Sequence, residues 1–298
     1  MRGPYDLYYV HDYYLPLPGA LASLLRRRPL IYDAHELIIP EENQKQAKRE
    51  KFFYLCEKLA IKGCDVVLSA NPERSQFLQA HYRLSDGRAS YVRNLSDYSL
   101  WREDRALQEK YRQLADDKRI KVIYQGDLSY SRGIQRFVDA VVQLPPEYAL
   151  VMVGGGDELD KLRQQIDRLG INGRVILLGK VPSFHLPTIQ KMCHIGIVSY
   201  PYQGLNNLYC ASNKFYDYAY SGLGIVATAQ LPLVNDMLRH DVGETVAEDE
   251  VATDIAKKIV AVHDRLQEIR QALPLLVAES SWSVESARLS RIVEKALA

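Results

Sequence analysis

Ser212-Asn213-Lys214-Phe215-Tyr216-Asp217 continues into Tyr218-Ala219-Tyr220-Ser221-Gly222 and then into the strand-like run Gly224-Ile225-Val226-Ala227-Thr228. Serine is a good helix starter, so the unpaired N–H groups of a first turn after Ser212 would lie beside the Lys214 ammonium and make an anion site suited to phosphate. Asp217 comes one helical turn after Asn213 and Lys214, on about the same face, where a carboxylate can accept hydrogen bonds from a ribose diol. A capped helix with a Lys214–Asp217 surface pair explains the same spacing without any ligand.

Three further groups invite a chemical reading. In Tyr124-Gln125-Gly126-Asp127-Leu128-Ser129-Tyr130-Ser131-Arg132-Gly133-Ile134, Gly126 and Gly133 let backbone approach a ligand, and Arg132 can pair bidentately with a diphosphate. A plain turn between strand and helix is the alternative. Gly154-Gly155-Gly156-Asp157-Glu158 ends another strand but lacks the GxGxxG spacing of a dinucleotide fingerprint, which argues against a nicotinamide cofactor. His11-Asp12 and Asp33-Ala34-His35-Glu36 both fall at the C-terminal ends of candidate strands, where open parallel sheets place their ligands. Two histidines with flanking carboxylates point to a site. With no third ligand at a matching position, a polar substrate site is preferred and no metal is expected.

The elements that must position these residues follow from short β-rich runs alternating with longer amphipathic segments, the signature of parallel sheets wound with helices. Strands are predicted at 7–10, 30–33, 65–69 and 90–93, then at 121–125, 149–153, 175–178, 195–199, 225–227 and 244–246. Helical spacing covers 42–61, 133–142, 157–169, 213–221 and 251–272. The charged stretch 94–119, anchored by Trp101, separates the two series. It predicts a partial first domain over 1–105, with a terminal helix at 282–298 packing back on it, and a second, complete doubly wound domain over 106–281.

Composition sets the outer limits. At roughly 100–200 residues per domain, 298 residues suit two domains, and 47% hydrophobic with 25% charged residues is ordinary folded protein. Thirty-eight Lys and Arg against 37 Asp and Glu leave a formal charge of +1, so no global field draws the chain to nucleic acid. Cys56, Cys64, Cys193 and Cys210 form no CxxC pair and have no histidine at zinc spacing. That fits a reduced, cytoplasmic setting. The opening residues lack a signal-peptide pattern, and the apolar run 15–25, broken by Pro16 and Pro18, is far short of a membrane span. Arg26-Arg27-Arg28 and the stretch 45–51, with Tyr and Leu nearby, are either solvated helix ends or a peripheral contact with anionic lipid at the inner face of the membrane.

Taken in order, these pieces resemble the GT-B glycosyltransferases, specifically the retaining family 4 enzymes that take a sugar from a nucleotide diphosphate donor. Tyr124-Gln125-Gly126 with Arg132-Gly133-Ile134 is similar to the family's strand, glycine turn and helix start at the donor phosphate. Val151-Met152-Val153-Gly154-Gly155-Gly156 resembles its "lvGdG" strand end, and the segment 175–181, with Lys180 and Val181, its "v.flG.v" segment facing the donor base. Residues 212–228 are similar to "sP.K.fEyma.G.PVvat", with Asp217 in place of the ribose-binding Glu, and Asp33-Ala34-His35-Glu36-Leu37 resembles "yDaHEl". Ser281-Trp282-Ser283 and its helix resemble the segment that returns to the first domain.

The resemblance implies two Rossmann-like parallel sheets, the first incomplete because the opening strands of the acceptor domain are absent. Gly126, Arg132, Gly133, Gly154, Lys180, Val181, Ser212, Asn213, Lys214 and Asp217 would bind donor, and His35, with Asp33 and His11, would serve the acceptor hydroxyl. It implies a glycan or lipid-linked acceptor, no cofactor beyond the nucleotide sugar, and no obligatory metal. Tyr209 stands where the family's first spaced acid falls, and Asp127 where an Arg is usual. A GT-B sugar-nucleotide epimerase is the rival reading among enzymes, and a non-catalytic nucleotide-sugar binding or partner-dependent subunit of a split enzyme is the rival of another class. The first predicted strand would carry an open edge, available to a partner chain or a second copy.

Overall fold

A computed structural model describes residues 5–41, 47–102 and 104–298. The chain begins β1 (Tyr8–His11), α1 (Pro16–Arg26), β2 (Leu30–Asp33), α2 (Lys48–Ala60), β3 (Val66–Ser69), α3 (Pro72–Tyr82) and β4 (Ala89–Tyr91). It continues α4 (Arg105–Lys110), α5 (Arg112–Asp116), β5 (Ile120–Asp127), α6 (Gln135–Gln143), β6 (Tyr148–Gly155), α7 (Leu159–Leu169), β7 (Val175–Gly179), α8 (Leu186–Lys191) and β8 (Ile195–Val198). Then come α9 (Leu205–Leu208), α10 (Asn213–Tyr220), β9 (Gly224–Thr228), α11 (Leu231–His240), β10 (Gly243–Val246), α12 (Ala252–Asp264), α13 (Leu266–Glu279) and α14 (Trp282–Leu297).

All ten predicted strands are present. The helix predicted from residue 42 starts at Lys48, and 42–46, including part of the basic run at 45–51, lie outside the described residues. The helix predicted over 251–272 is two helices, interrupted at Arg265. Helices α1, α3 and α11 are not in the predicted set. Each has proline in its first two positions, where the missing N–H costs nothing.

The chain divides into two compact units. The first comprises Met1–Asn94, Gln203–Ala211 and Trp282–Ala298, the second Leu95–Tyr202 and Ser212–Ser281. Residues 95–105 thus belong to the second unit and 203–211 to the first, where the sequence suggested one boundary near 105. Ser96 hydrogen-bonds Asp217, and Tyr98 stacks on Tyr220 at 4.2 Å, which ties the first of these segments to α10.

The first unit holds a parallel sheet of order β1-β2-β3-β4. Alternation along β2 sends Leu30 and Tyr32 to one face, where they pack with Ile61, Val67 and Leu78, and Ile31 to the other. There Leu289, Ile292 and Val293 of α14 cover Ile31, Val66 and Leu68. A buried ion pair fastens that helix: Arg93 Nη1 lies 3.1 Å from Glu285 Oε1, and Arg288 holds Oε2. On the opposite face Glu57 is buried beneath two phenols, accepting from Tyr32 at 2.5 Å and from Tyr82. Burial pushes its carboxyl above the ordinary range, while the two phenolic donors work the other way.

The second unit carries a six-stranded parallel sheet of order β10-β9-β8-β5-β6-β7. β5 comes first in this series yet lies mid-sheet, so the connection order reverses between β5 and β8. In such sheets the C-terminal ends of the strands at that switch point form a crevice for ligands. Gly126, Gly154 and Ser199 stand at those ends.

Candidate functional site

In the second unit the pairing Gly126↔Gly154 closes the C-terminal ends of β5 and β6. Gly154 has φ +142, and a Cβ there would fall 1.8 Å from the Gly126 carbonyl oxygen, so the close approach of the two strands requires glycine. Beyond it, Leu128 N–H donates to Gly155 O at 3.1 Å and fixes the turn. Lys180 runs its stem over Gly155, with Cε 2.7 Å from where a Cβ would sit, and Val181, next in the chain, is half-buried. Asp127 turns into the loop: Ser129 Oγ donates to its Oδ2 at 2.7 Å.

Two cations meet at this edge. Lys214 Nζ lies 5.0 Å from the centre of the Tyr124 ring and 5.4 Å from that of Tyr200, and the Arg132 guanidinium lies 6.0 Å from Tyr200. Lys214 Nζ also comes within 3.3 Å of the Cβ position of Gly126. Ring faces attract cations through the quadrupole of the ring. The sharp turn at Gly133, φ +73, follows Arg132, whose carbonyl accepts from Ser199 Oγ at 2.6 Å. Arg132 draws the Tyr124 phenol down, while burial, the larger effect, raises it.

The helix carrying Lys214 differs from expectation in two respects. Ser212 occupies the N-cap position, but its side chain makes no cap bond; Oγ is buried and without a hydrogen-bond partner. The first-turn N–H groups, with Asn213 at their head, are therefore not taken up by Ser212. Asp217 is only 8% exposed, and its Oδ1 accepts from Ser96 Oγ at 2.9 Å. Burial pushes this carboxyl up to about 6, against the hydroxyls of Ser96 and Tyr98.

A folded-state value above the unfolded one means that ionisation of Asp217 opposes folding. The favourable contribution is complete below about pH 3.9 and is lost as pH rises through 6. Asp217→Asn keeps an acceptor for Ser96 and removes the titration. Its stability relative to wild type should therefore be greater at pH 7.5 than at pH 4.5 by about 2 kcal/mol, read by urea unfolding at both values. A pH-independent difference would show the acid to be ionised at no cost.

In the first unit the register His11↔Asp33 across β1 and β2 brings the three acceptor-side candidates together. His11 Nδ1 is 3.2 Å from His35 Nε2 and 3.4 Å from Asp33 Oδ2, and His35 Nε2 is 3.8 Å from that oxygen. Tyr9 OH donates to the same Oδ2 at 2.9 Å. The chain leaves β1 through Asp12, held at φ 63, whose N–H donates to Asp33 O.

Sequence reasoning missed the clamp behind His35. Arg74, 5% exposed, donates through Nη1 to His35 O at 2.8 Å, through Nε to Tyr209 O at 2.6 Å and through Nη2 to Asn206 O at 3.1 Å. Asn71 Nδ2 adds a bond to Cys210 O at 2.9 Å while its Oδ1 caps α3. Asn206 in turn pairs both ways with the backbone of Leu37. Tyr209 thus has its carbonyl in the clamp and its ring on Phe77, 5.0 Å away. Nothing local in the sequence announces that Arg74 reaches carbonyls more than a hundred residues distant.

Comparison with known proteins bears on both units. The chain is 25% identical over 162 residues to the alpha-maltose-1-phosphate synthase of Mycolicibacterium smegmatis, which is 52% of this chain and 42% of that protein. It is 23% identical over 145 residues to an uncharacterized glycosyltransferase of Methanocaldococcus jannaschii, 47% of this chain and 36% of that one. The match therefore spans less than half of either relative. Among solved structures, HepE of Anabaena in complex with UDP superposes with a TM-score of 0.78 at 20% identity, covering 98% of this chain and 79% of that one. The sucrose-phosphate synthase of Thermosynechococcus elongatus gives 0.70 at 17%, covering 98% and 73%. These likenesses establish the fold, two parallel Rossmann-like sheets of GT-B type. The model of the glycosyl transferases group 1 family matches residues 107–271, more than half of the 298, and the chain belongs to that family.

Proposed function

We propose that this protein is a glycosyltransferase that moves a sugar from a nucleoside diphosphate to a hydroxyl of a glycan or lipid-linked acceptor, with retention of anomeric configuration. The observation that carries this reading is the convergence of Lys214 and Arg132 on Tyr200 beside Gly126. Two fixed cations at a strand-end crevice suit a diphosphate and stabilise the charge it gains on leaving. UDP bound to HepE supports a nucleotide ligand.

In the proposed step the bond from the anomeric carbon to the diphosphate oxygen breaks. The acceptor oxygen bonds to that carbon from the same face, and its proton passes to the departing phosphate. His35, Asp33 and His11 orient the acceptor hydroxyl. No metal or cofactor is assigned a part in the transfer. Lys180, over Gly155, and Val181 next to it in the chain suit the donor base, and the left-handed turn at Gly133 sets Arg132 toward the phosphate. Asp217 serves the ribose by exchanging its Ser96 bond for a ribose hydroxyl.

A cytoplasmic enzyme working at a membrane surface fits one further feature. Leu24 and Leu25 of α1 are 75% and 81% exposed just before Arg26, Arg27 and Arg28, and Phe52, Leu55 and Leu59 form a second exposed stripe on α2. Apolar side chains beside clustered cations suit an anionic lipid surface and a lipid-linked acceptor. No helix among the described residues is long and apolar enough to cross a membrane. β1 pairs with β2 alone among the described strands, so its second edge suits a partner chain or a second copy.

The test is calorimetric titration of the whole chain with UDP, GDP and their sugars, followed by release of nucleoside diphosphate with glycan and lipid-linked acceptors. Binding with turnover is expected. Binding without turnover under any acceptor would indicate a subunit dependent on a partner, and absence of binding to every sugar nucleotide would overturn the reading.

A further inference from the structure

We propose that His11, Asp33 and His35 form a binding site for a divalent transition metal of tetrahedral preference, with zinc the natural occupant and one coordination position open to solvent. The sequence offers two histidines at two strand ends without a third ligand at a matching position. Strand pairing supplies the third, because the register His11↔Asp33 sets Asp33 directly beside His11, and His35 follows two residues later.

The geometry is specific. Zinc with nitrogen and oxygen ligands at roughly 2.0–2.1 Å spaces neighbouring ligand atoms by about 3.3 Å in a tetrahedron, against about 2.9 Å in an octahedron of the same arms. His11 Nδ1, His35 Nε2 and Asp33 Oδ2 define a triangle with sides of 3.2, 3.4 and 3.8 Å. One ligand atom from each of the three residues lies within 4.8 Å of the other two. Two imidazoles and one carboxylate suit zinc, nickel or cobalt over magnesium, which prefers oxygen. The carboxylate is held by Tyr9 OH, which donates to the same oxygen at 2.9 Å, and hydrogen-bonded carboxylate ligands are common at metal centres. Arg74, bonded to His35 O, fixes the backbone from which the second imidazole projects. The His11 and His35 side chains are 57% and 51% exposed, which leaves an approach for the ion and room for a water as fourth ligand.

Metal binding stands apart from the transferase reading. If that reading also holds, zinc would occupy the acceptor residues and suppress turnover while leaving UDP affinity unchanged.

The experiment titrates the whole chain with cobalt(II), with absorption read in the visible region, and then with zinc by calorimetry. One equivalent with the intense bands of tetrahedral cobalt is expected, displaced by zinc and not by magnesium. His11→Ala and His35→Ala should abolish the bands, while Tyr9→Phe should weaken zinc affinity on the order of 10-fold. His81→Ala, which removes a histidine bonded to Tyr54 elsewhere in the unit, should change neither. Thermal unfolding of each apo variant establishes that it is folded. Octahedral bands, no stoichiometric binding, or binding that survives both histidine substitutions would overturn the site.

Discussion

Replacing Lys214 with alanine should lower catalytic efficiency on the order of 100-fold, the scale seen when one preorganised donor to developing charge is removed. The ammonium lies over Tyr124 and Tyr200 next to the glycine end of β5, so it is held in place before any ligand arrives. Part of the loss belongs to ground-state binding: one charged hydrogen bond contributes about 1.5–3 kcal/mol, or roughly 10- to 100-fold in affinity for UDP or GDP. Lys214→Met separates charge from packing, since it keeps an apolar stem against both rings. If methionine behaves as alanine does, the ammonium is the active part. Unchanged nucleotide affinity and turnover in both variants, measured by calorimetry and product release, would remove Lys214 from the site.

Gly154→Ala should be among the most damaging single methyls in the second unit. The added carbon would lie 1.8 Å from the Gly126 carbonyl oxygen, and φ +142 already excludes most side chains. Neither strand can withdraw without breaking the ladder from Ile120↔Tyr148 to Asp127↔Gly155. We expect a loss of at least about 3 kcal/mol, from forbidden backbone and overpacking together, with nucleotide affinity falling in parallel because Gly126, which the new methyl would push, lies beside Lys214. Gly170→Ala provides the comparison. Its φ of +67 is also left-handed, but nothing lies within 4 Å of the new carbon, so strain alone should cost about 1–2 kcal/mol. Equal urea midpoints for the two variants would show that the strand ends yield.

The strands were legible because runs such as Val66-Val67-Leu68 and Ile195-Gly196-Ile197-Val198 are apolar, β-rich and bounded by turns. Helices opening on proline were not, since Pro16, Pro72 and Pro232 read as breaks until their place in the first turn is seen. The candidate edge at the end of β5 was legible as residue types, Gly126, Arg132 and Lys214, but not the shared Tyr200 ring, which only folding brings near. Asp217 shows the limit of facing rules. Helical spacing sets it near Lys214, yet its oxygen turns to Ser96, far back in the chain. His11 and Asp33 were each visible at strand ends, whereas their adjacency depends on register, which no local pattern encodes.

The interleaving of the two units fixes an order of completion during synthesis. Residue 281 is the last that the second unit needs, while the first still lacks α14 when 281 leaves the ribosome. Until Leu289, Ile292 and Val293 arrive, the Ile31, Val66 and Leu68 face of the first sheet has no cover, and Arg93 has no Glu285. The part of the chain made first is therefore finished last, and its uncovered sheet is the surface a nascent-chain chaperone would meet.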